Sequence, residues 1–138
     1  MKRYTFSKKE HICKRNEFKQ LVLKGKSFYV FPFRCVYIIN SSNEYKVKFA
    51  VTVPKRNIQQ AAKRNYIKRI TRESYRLNKH ILHDYIENKP IEVLLLCIYI
   101  HKNKLPFHTV EISIKSLLNK MINLDLINEL KNTNNNAN

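Results

Sequence analysis

The chain has 138 residues, of which 43% are hydrophobic, and its 27 Lys and Arg against 10 Asp and Glu give a net charge of +17 at pH 7. This length suits one domain with a hydrophobic core, and the charge indicates a polyanionic partner because a compact chain of this charge repels itself. No apolar run is long enough to span a bilayer, and the first ten residues lack the apolar stretch of a signal peptide. We therefore expect a cytoplasmic protein with one domain over residues 1–131 and a disordered Asn-rich tail over 132–138.

The first predicted helix covers residues 11–24. Its apolar side chains can share one face, and Gly25, the only glycine, follows at a helix C-cap position. The residues expected on the apolar face are Ile12, Phe18, Leu21 and Val22.

Two or three strands are predicted to follow. Residues 28–39 are rich in aromatic and β-branched side chains. Residues 40–43 are a turn signal, and residues 45–53 alternate between apolar and polar character, so we expect them to pair back as a hairpin. Further on, residues 91–99 are almost continuously apolar, which is typical of a strand covered on both faces.

Two more helices complete the predicted order. Residues 61–79 have an apolar stripe at steps of three and four, and a last helix is expected to start between 106 and 109. The order of helix, strands, helix, strand and helix predicts an α+β fold, an α/β sandwich with a small mixed sheet and helices mainly on one side. The stripe is Ile67, Ile70, Ser74, Leu77 and Ile81, and the inward residues of the last helix are Val110, Ile114, Leu117, Leu118 and Met121.

The second predicted helix and the loop before it are strongly basic, with Glu73 as the only acid between residues 55 and 79. Like charges four residues apart destabilise a helix by a few tenths of a kcal/mol per pair, so phosphates would relieve the repulsion. Arginine can also bind phosphate oxygens in a bidentate manner. The alternatives are an ordinary solvated helix face and, for Asn65, a local hydrogen-bonding role. The basic residues are Lys55, Arg56, Lys63, Arg64, Lys68, Arg69, Arg72, Arg76 and Lys79.

Catalytic motifs are absent from the sequence. It has no phosphate-binding loop, dinucleotide fingerprint or nucleophile elbow. The cysteines and histidines lack the spacing of a zinc site or a disulfide framework, so we expect small buried thiols and no metal bound by the protein. These residues are Cys13, Cys35, Cys97, His80, His83, His101 and His108.

Residues 49–76 resemble the signature of the bacterial ribonuclease P protein family. The family pattern is a hydrophobic strand, a basic pair, a short loop, and a helix that opens Arg-Asn-Arg and continues x-Lys-Arg-x-x-Arg-Glu. The first helix, which ends in Gly25, is also similar, although the family often has two aromatics one turn apart where this chain has Phe18 and Val22. Tyr66 replaces the second arginine, so one phosphate contact is lost, or replaced by stacking or a hydroxyl hydrogen bond. The matching residues of the main motif are Lys55, Arg56, Arg64, Asn65, Lys68, Arg69, Arg72 and Glu73.

The resemblance implies both a fold and a function. The fold would have three helices, would be like domain 2 of ribosomal protein S5, and would contain a left-handed βαβ crossover where general rules favour a right-handed one. The chain would be a subunit of an endoribonuclease whose catalytic RNA removes the 5′ leader of precursor tRNA with Mg²⁺ bound chiefly by that RNA. Its partners would be ribonuclease P RNA and precursor tRNA, with no membrane and no obligate protein partner.

The resemblance also assigns two groups of site residues. RNA binding would involve Lys55, Arg56, Lys63, Arg64, Asn65, Lys68, Arg69, Arg72 and Arg76. A cleft for the 5′ leader, between the first helix and the sheet, would be lined by Phe18, Val22, Tyr37 and Lys55. One alternative is a ribosomal or general RNA-binding protein without a nuclease role. Another is a metal-independent nuclease, for which the sequence offers no acid–base pair.

Overall fold

The computed structural model describes residues 6–12 and 14–124. Cys13 and the predicted tail lie outside the described residues, and the domain bounds stay a prediction. The described part forms one four-stranded sheet and four α-helices, after a short 3₁₀ helix at Lys8–Glu10. In chain order the elements are α1 (Arg15–Lys24), β1 (Lys26–Val30), β2 (Phe33–Ser41), β3 (Lys46–Thr52), α2 (Ala61–Asn78), α3 (His80–Ile86), β4 (Ile91–Tyr99) and α4 (Phe107–Ile122).

The strands lie in the order β1-β2-β4-β3. β1, β2 and β4 pair antiparallel, whereas β3 pairs parallel with β4, which confirms a mixed sheet. The predicted hairpin between residues 45–53 and the preceding strand is wrong, because β4 lies between β2 and β3. β4 is almost entirely apolar, so a central position that buries both of its faces is favoured. The segment containing α2 and α3 provides the crossover that parallel pairing needs; its left-handed sense stays an expectation.

The predicted strand over residues 28–39 is divided into β1 and β2. Pro32 lies between them and has no backbone N–H to donate to a ladder, so it interrupts the strand. β1 and β2 then form a hairpin in which Tyr29 lies opposite Arg34.

The sheet has helices on both faces. Buried side chains from α2, α3 and α4 join one face in the main core, where the rings of Phe49 and Tyr75 stack with centroids 4.0 Å apart. On the other face a smaller cluster joins Leu21 of α1 to Val36, Ile38 and neighbours on β4. β4 contributes buried residues to both clusters, as its apolar run predicts.

The helices begin and end close to the predicted residues, with two differences. The first helix starts at Arg15 rather than residue 11, because the backbone N–H of Ile12 donates to Phe49 O and holds that segment beside β3. α3 is a separate helix after Lys79, so the described part of the chain has four α-helices where three were expected. Of the predicted stripe on α2, Ile67, Ile70 and Ser74 are buried, and Leu77 and Ile81 are half-buried; the five inward residues predicted for α4 are all buried.

Gly25 is the C-cap of α1. Its backbone is extended, with φ −68° and ψ 142°, so a left-handed conformation is not the reason for glycine here. A Cβ at this position would lie 2.4 Å from Leu21 O and 2.6 Å from Val36 Cγ1. Glycine therefore allows the end of α1 to approach β2 closely.

Candidate nucleic-acid interface

The loop between β3 and α2 presents the basic pair Lys55 and Arg56, and both side chains are exposed. The residues that follow hold the loop in place. Asn57 Nδ2 donates to Tyr99 O over 3.0 Å, and Ile58 is buried in the main core. The two cations therefore lie on a surface loop whose base is fixed to the end of β4.

One side of α2 is a basic face. Ile67, Ile70 and Tyr75 are buried against the sheet and α4, which directs the polar positions outward. Most predicted RNA-binding residues are thus brought together on one surface. Lys63, Asn65, Arg69 and Arg72 are exposed, and Lys68 is half-buried.

Arg64 makes hydrogen bonds within the protein. Its Nη1 donates to Ile58 O over 2.9 Å and to Gln59 O over 2.7 Å. These carbonyls belong to the loop that enters α2, so Arg64 fixes that loop as well as adding charge. The sequence motif gave no sign of this second role.

Arg76 is paired with Glu73. Arg76 Nε donates to Glu73 Oε2 over 3.0 Å, and Arg76 Nη2 lies 2.5 Å from Glu73 Oε1. The hydrogen bond to Arg76 lowers the pKa of Glu73, and the same bond raises the pKa of Arg76. The only acid between residues 55 and 79 is therefore paired with Arg76, which lowers the net positive charge near the end of α2.

Tyr66, which replaces an arginine of the family pattern, is half-buried beside the basic face. Arg69 Cζ lies 5.4 Å from the centroid of its ring. Lys104 Nζ, from the loop between β4 and α4, lies 4.5 Å from the same centroid. Sequence reasoning missed Lys104, because no motif or helical spacing connects residue 104 with α2.

Two of the predicted cleft residues lie on α1 and are exposed. Phe18 is 37% exposed and Val22 is 81% exposed, whereas Leu21 between them is buried against the sheet. Of the residues expected on the apolar face of the first helix, Ile12 and Leu21 are buried, whereas Phe18 and Val22 are not. An apolar flank of α1 is open to solvent, as a cleft for a ligand requires.

Tyr37 does not line that cleft. It is 5% exposed and belongs to the main core on the opposite face of the sheet, where its ring centroid lies 6.0 Å from that of Phe28. Side chains of successive strand residues point to opposite faces. Val36 and Ile38 therefore face α1, and Tyr37 faces α2 and α4.

The sheet provides different cleft residues. Tyr29 lies opposite Arg34, Arg34 opposite Ile98, and Ile98 beside Thr52, so the four side chains form one row on the α1 face. Tyr29 is 64% exposed, Arg34 is exposed, and the other two are half-buried. Sequence reasoning missed this row. The only signal in the sequence was a charged residue, Arg34, within an otherwise apolar strand.

α1 separates this row from the other end of the strands. Glu17 bonds to Lys48 Nζ over 2.6 Å, so one flank of the helix faces the start of β3. Phe18 is about 100° further around the helix, so we infer that it lies on the flank of α1 opposite Glu17, towards Thr52 and Ile98. From this placement we infer that the apolar flank of α1 and the open row of the sheet face each other.

A cavity of about 1200 Å³ lies on the Glu17 flank, and six lysines and three glutamates are among its lining residues. None of the predicted site residues lines it. Among residues 6–12 and 14–124, no group of three His, Cys, Asp or Glu side chains is arranged to hold a metal ion. Within the same ranges, no helix is both long and apolar enough to cross a membrane.

The fold and this surface define a class of protein: a small basic α+β protein with an arginine-rich helix that presents cations to solvent. A profile of the family described as Ribonuclease P matches residues 6–122. The ribonuclease P protein component of Porphyromonas gingivalis is 36% identical over 111 residues, which cover 78% of this chain and 80% of that protein. That of Syntrophus aciditrophicus is 38% identical over 79 residues, covering 57% of this chain and 64% of that protein.

Solved structures agree on the fold. The ribonuclease P protein of Staphylococcus aureus superposes with a TM-score of 0.63 at 19% identity, covering 88% of this chain and 96% of that one. The protein from Thermotoga maritima gives a TM-score of 0.58 at 22% identity, covering 80% and 96%. The chain belongs to the ribonuclease P protein family. It is the protein component of a tRNA-processing enzyme and has a role in maturation of the tRNA 5′ end.

Proposed function

We propose that the chain binds ribonuclease P RNA through the basic face of α2 and holds the 5′ leader of precursor tRNA between α1 and the sheet. In this proposal the RNA subunit cleaves the leader endonucleolytically and carries the Mg²⁺, and the complex acts in the cytoplasm. The protein contributes charge and position rather than bond chemistry.

The main support is that the two surfaces meet at one loop. Thr52 ends β3 within the open row of the cleft, and Lys55 follows it by three residues, a distance of at most about 11 Å along the chain. The loop then leads directly into α2, where Arg64 fixes its carbonyls. An RNA strand leaving the cleft would therefore meet Lys55 and Arg56 before the basic face.

The cleft also has the chemistry expected for a single strand. Tyr29 and Phe18 are exposed aromatics that can stack on unpaired bases, a contact typically worth about 1–3 kcal/mol per base. Arg34 adds a cation beside Tyr29 on the sheet. We propose Phe18, Val22, Tyr29, Arg34 and Ile98 as the leader surface, in place of the buried Tyr37.

The experiment is cleavage of a precursor tRNA at low Mg²⁺ by a transcribed bacterial ribonuclease P RNA, with and without the protein. A chain of net charge +17 screens repulsion between two RNAs. We therefore expect cleavage at the mature 5′ end only when both components are present, and none with the protein alone. Cleavage by the protein alone would place catalysis on the chain, and no stimulation of several RNA subunits would contradict the proposed role.

The alternative of a general RNA-binding protein is not favoured, because the family match covers nearly all the described residues. The same assay separates the two roles. A general RNA-binding protein would bind the RNA subunit and the tRNA without changing the site or rate of cleavage.

A further inference from the structure

Two cations from distant parts of the chain converge on one aromatic ring. Arg69 belongs to α2 and Lys104 to the loop between β4 and α4, and both side chains are exposed. Their charged groups lie 5.4 Å and 4.5 Å from the centroid of the Tyr66 ring. Nothing in the local sequence of either segment requires this meeting.

The loop that carries Lys104 is held at both ends. Tyr99 Oη donates to Asn103 O over 2.5 Å, and Leu105 packs against the main core. Ile100 N also donates to Pro32 O over 2.9 Å. Lys104 is therefore presented from an anchored position, which reduces the entropy lost when a ligand binds.

Each of the two cations is within reach of a favourable contact with the ring. The negative face of an aromatic ring attracts cations, by about 0.5–1 kcal/mol at exposed sites. The ring carries no net charge, however, so the cluster keeps its two positive charges. An anion that contacts both cations would gain from each of them and would remove their mutual repulsion.

We propose that Tyr66, Arg69 and Lys104 form a composite binding site for a backbone phosphate of ribonuclease P RNA. The site extends the basic face from α2 onto the loop between β4 and α4. It places a second cation beside the position where Tyr66 replaces an arginine of the family pattern. The inference rests on the proposed function of the α2 face.

The test measures binding of transcribed ribonuclease P RNA by the full chain as a function of salt. Lys104→Ala should weaken binding about eightfold at 0.1 M salt and reduce the slope of log K against log salt by about 0.9, the values for one lost duplex phosphate contact. Lys104→Arg should bind like the original chain. Lys102→Ala, which removes the same charge from an exposed position on the same loop, is the matched control and should change affinity less than about twofold.

A double-mutant cycle tests the part played by the ring. Tyr66→Phe keeps the ring, so Lys104→Ala should cost as much affinity in that background as in the original chain. Tyr66→Leu removes the ring, so Lys104→Ala should cost less affinity in that background than in the original chain. Thermal unfolding monitored by circular dichroism identifies any variant that binds poorly because it is unfolded, and Tyr66→Phe provides the folded comparison.

The possible results distinguish a failure of the composite site from a failure of the proposed RNA-binding role of the α2 face. If Lys104→Ala binds like Lys102→Ala while the double variant Lys68→Ala, Arg72→Ala loses affinity, the composite site is wrong and the α2 face stands. A Lys104→Ala chain that melts earlier but binds RNA normally would also overturn the site, because Lys104 would then only stabilise the fold. If the Lys68, Arg72 double variant binds normally as well, both proposals are wrong.

Discussion

The basic face of α2 makes a quantitative prediction for the double variant Lys68→Ala, Arg72→Ala. Arg64 donates to loop carbonyls and Arg76 is paired with Glu73, so Lys68 and Arg72 are the cleaner probes of the face. Each neutralised duplex phosphate adds about 0.9 to the slope of log K against log salt, which is about an eightfold gain in affinity at 0.1 M relative to 1 M salt. Two lost contacts should therefore weaken RNA binding about sixtyfold at 0.1 M and reduce the slope by about 1.8.

The assay is filter binding or fluorescence anisotropy with labelled ribonuclease P RNA across a salt series. The matched control is Lys115→Ala with Lys120→Ala, which removes the same charge from exposed positions on α4. This control should retain most of the affinity and the slope, because long-range charge effects are screened within about 10 Å at 0.1 M salt. Equal losses in the two double variants would refute the face, because net charge alone would then determine binding. Circular dichroism should show both variants folded.

Three further predictions follow from the structure. Phe18→Ala should weaken binding of precursor tRNA to the assembled complex without affecting mature tRNA, measured with matched substrates; equal losses for both tRNAs would remove Phe18 from the leader surface. Gly25→Ala should lower the free energy of unfolding by about 1–3 kcal/mol, because its Cβ would overlap Leu21 O and Val36 Cγ1. Urea denaturation measures this change, and a variant of equal or greater stability would contradict the close approach. Burial, and then Lys79, lower the pKa of His83. The unfolded state therefore binds the proton more readily, and the free energy of unfolding should fall as pH decreases below about 6.5. In urea denaturation, His83→Gln should lose less of its free energy of unfolding between pH 7.5 and pH 5.5 than the original chain does. An identical loss in the two proteins would rule out His83 as a contributor.

The amino-acid sequence alone determined the elements with strong local patterns. The boundaries of α2 follow from its apolar stripe and basic positions, because residues three and four apart share a helix face. The nearly continuous apolar run of β4 predicted a strand buried on both faces, which the structure confirms. The motif around residues 49–76 was also sufficient to indicate the family, because it fixes residue types over a long continuous stretch.

The order of the strands was decided by tertiary packing. A turn signal after β2 suggested that β3 would pair with it, and local chemistry permits that hairpin. β4 takes the place between them because it has the most apolar surface to bury, and a sheet edge would leave that surface exposed. The same packing sets Cys35 opposite Cys97 in the centre of the sheet, where burial raises the pKa of the Cys97 thiol.

The sequence likewise could not predict which residues of β2 face α1 and which face α2 and α4. Cys35, Tyr37 and Ile39 alternate with Val36 and Ile38, and all five are apolar enough to be buried. The local pattern therefore does not indicate which of these two groups of side chains meets α1. For this reason Tyr37 was assigned to the cleft, although its side chain lies on the opposite face of the sheet. Packing of Leu21 and the close approach of Gly25 to Val36 decide it.

For the charged residues of the interface, the sequence again determines some features and the tertiary structure determines others. Sequence determines that α2 is basic, because its cations recur within one helix. Only the tertiary structure shows that Arg64 also fixes a loop and that Lys104 joins Tyr66 from a separate segment. Spacing along one helix is fixed by its 3.6-residue repeat, whereas contacts between distant segments depend on how the whole sheet and its helices pack.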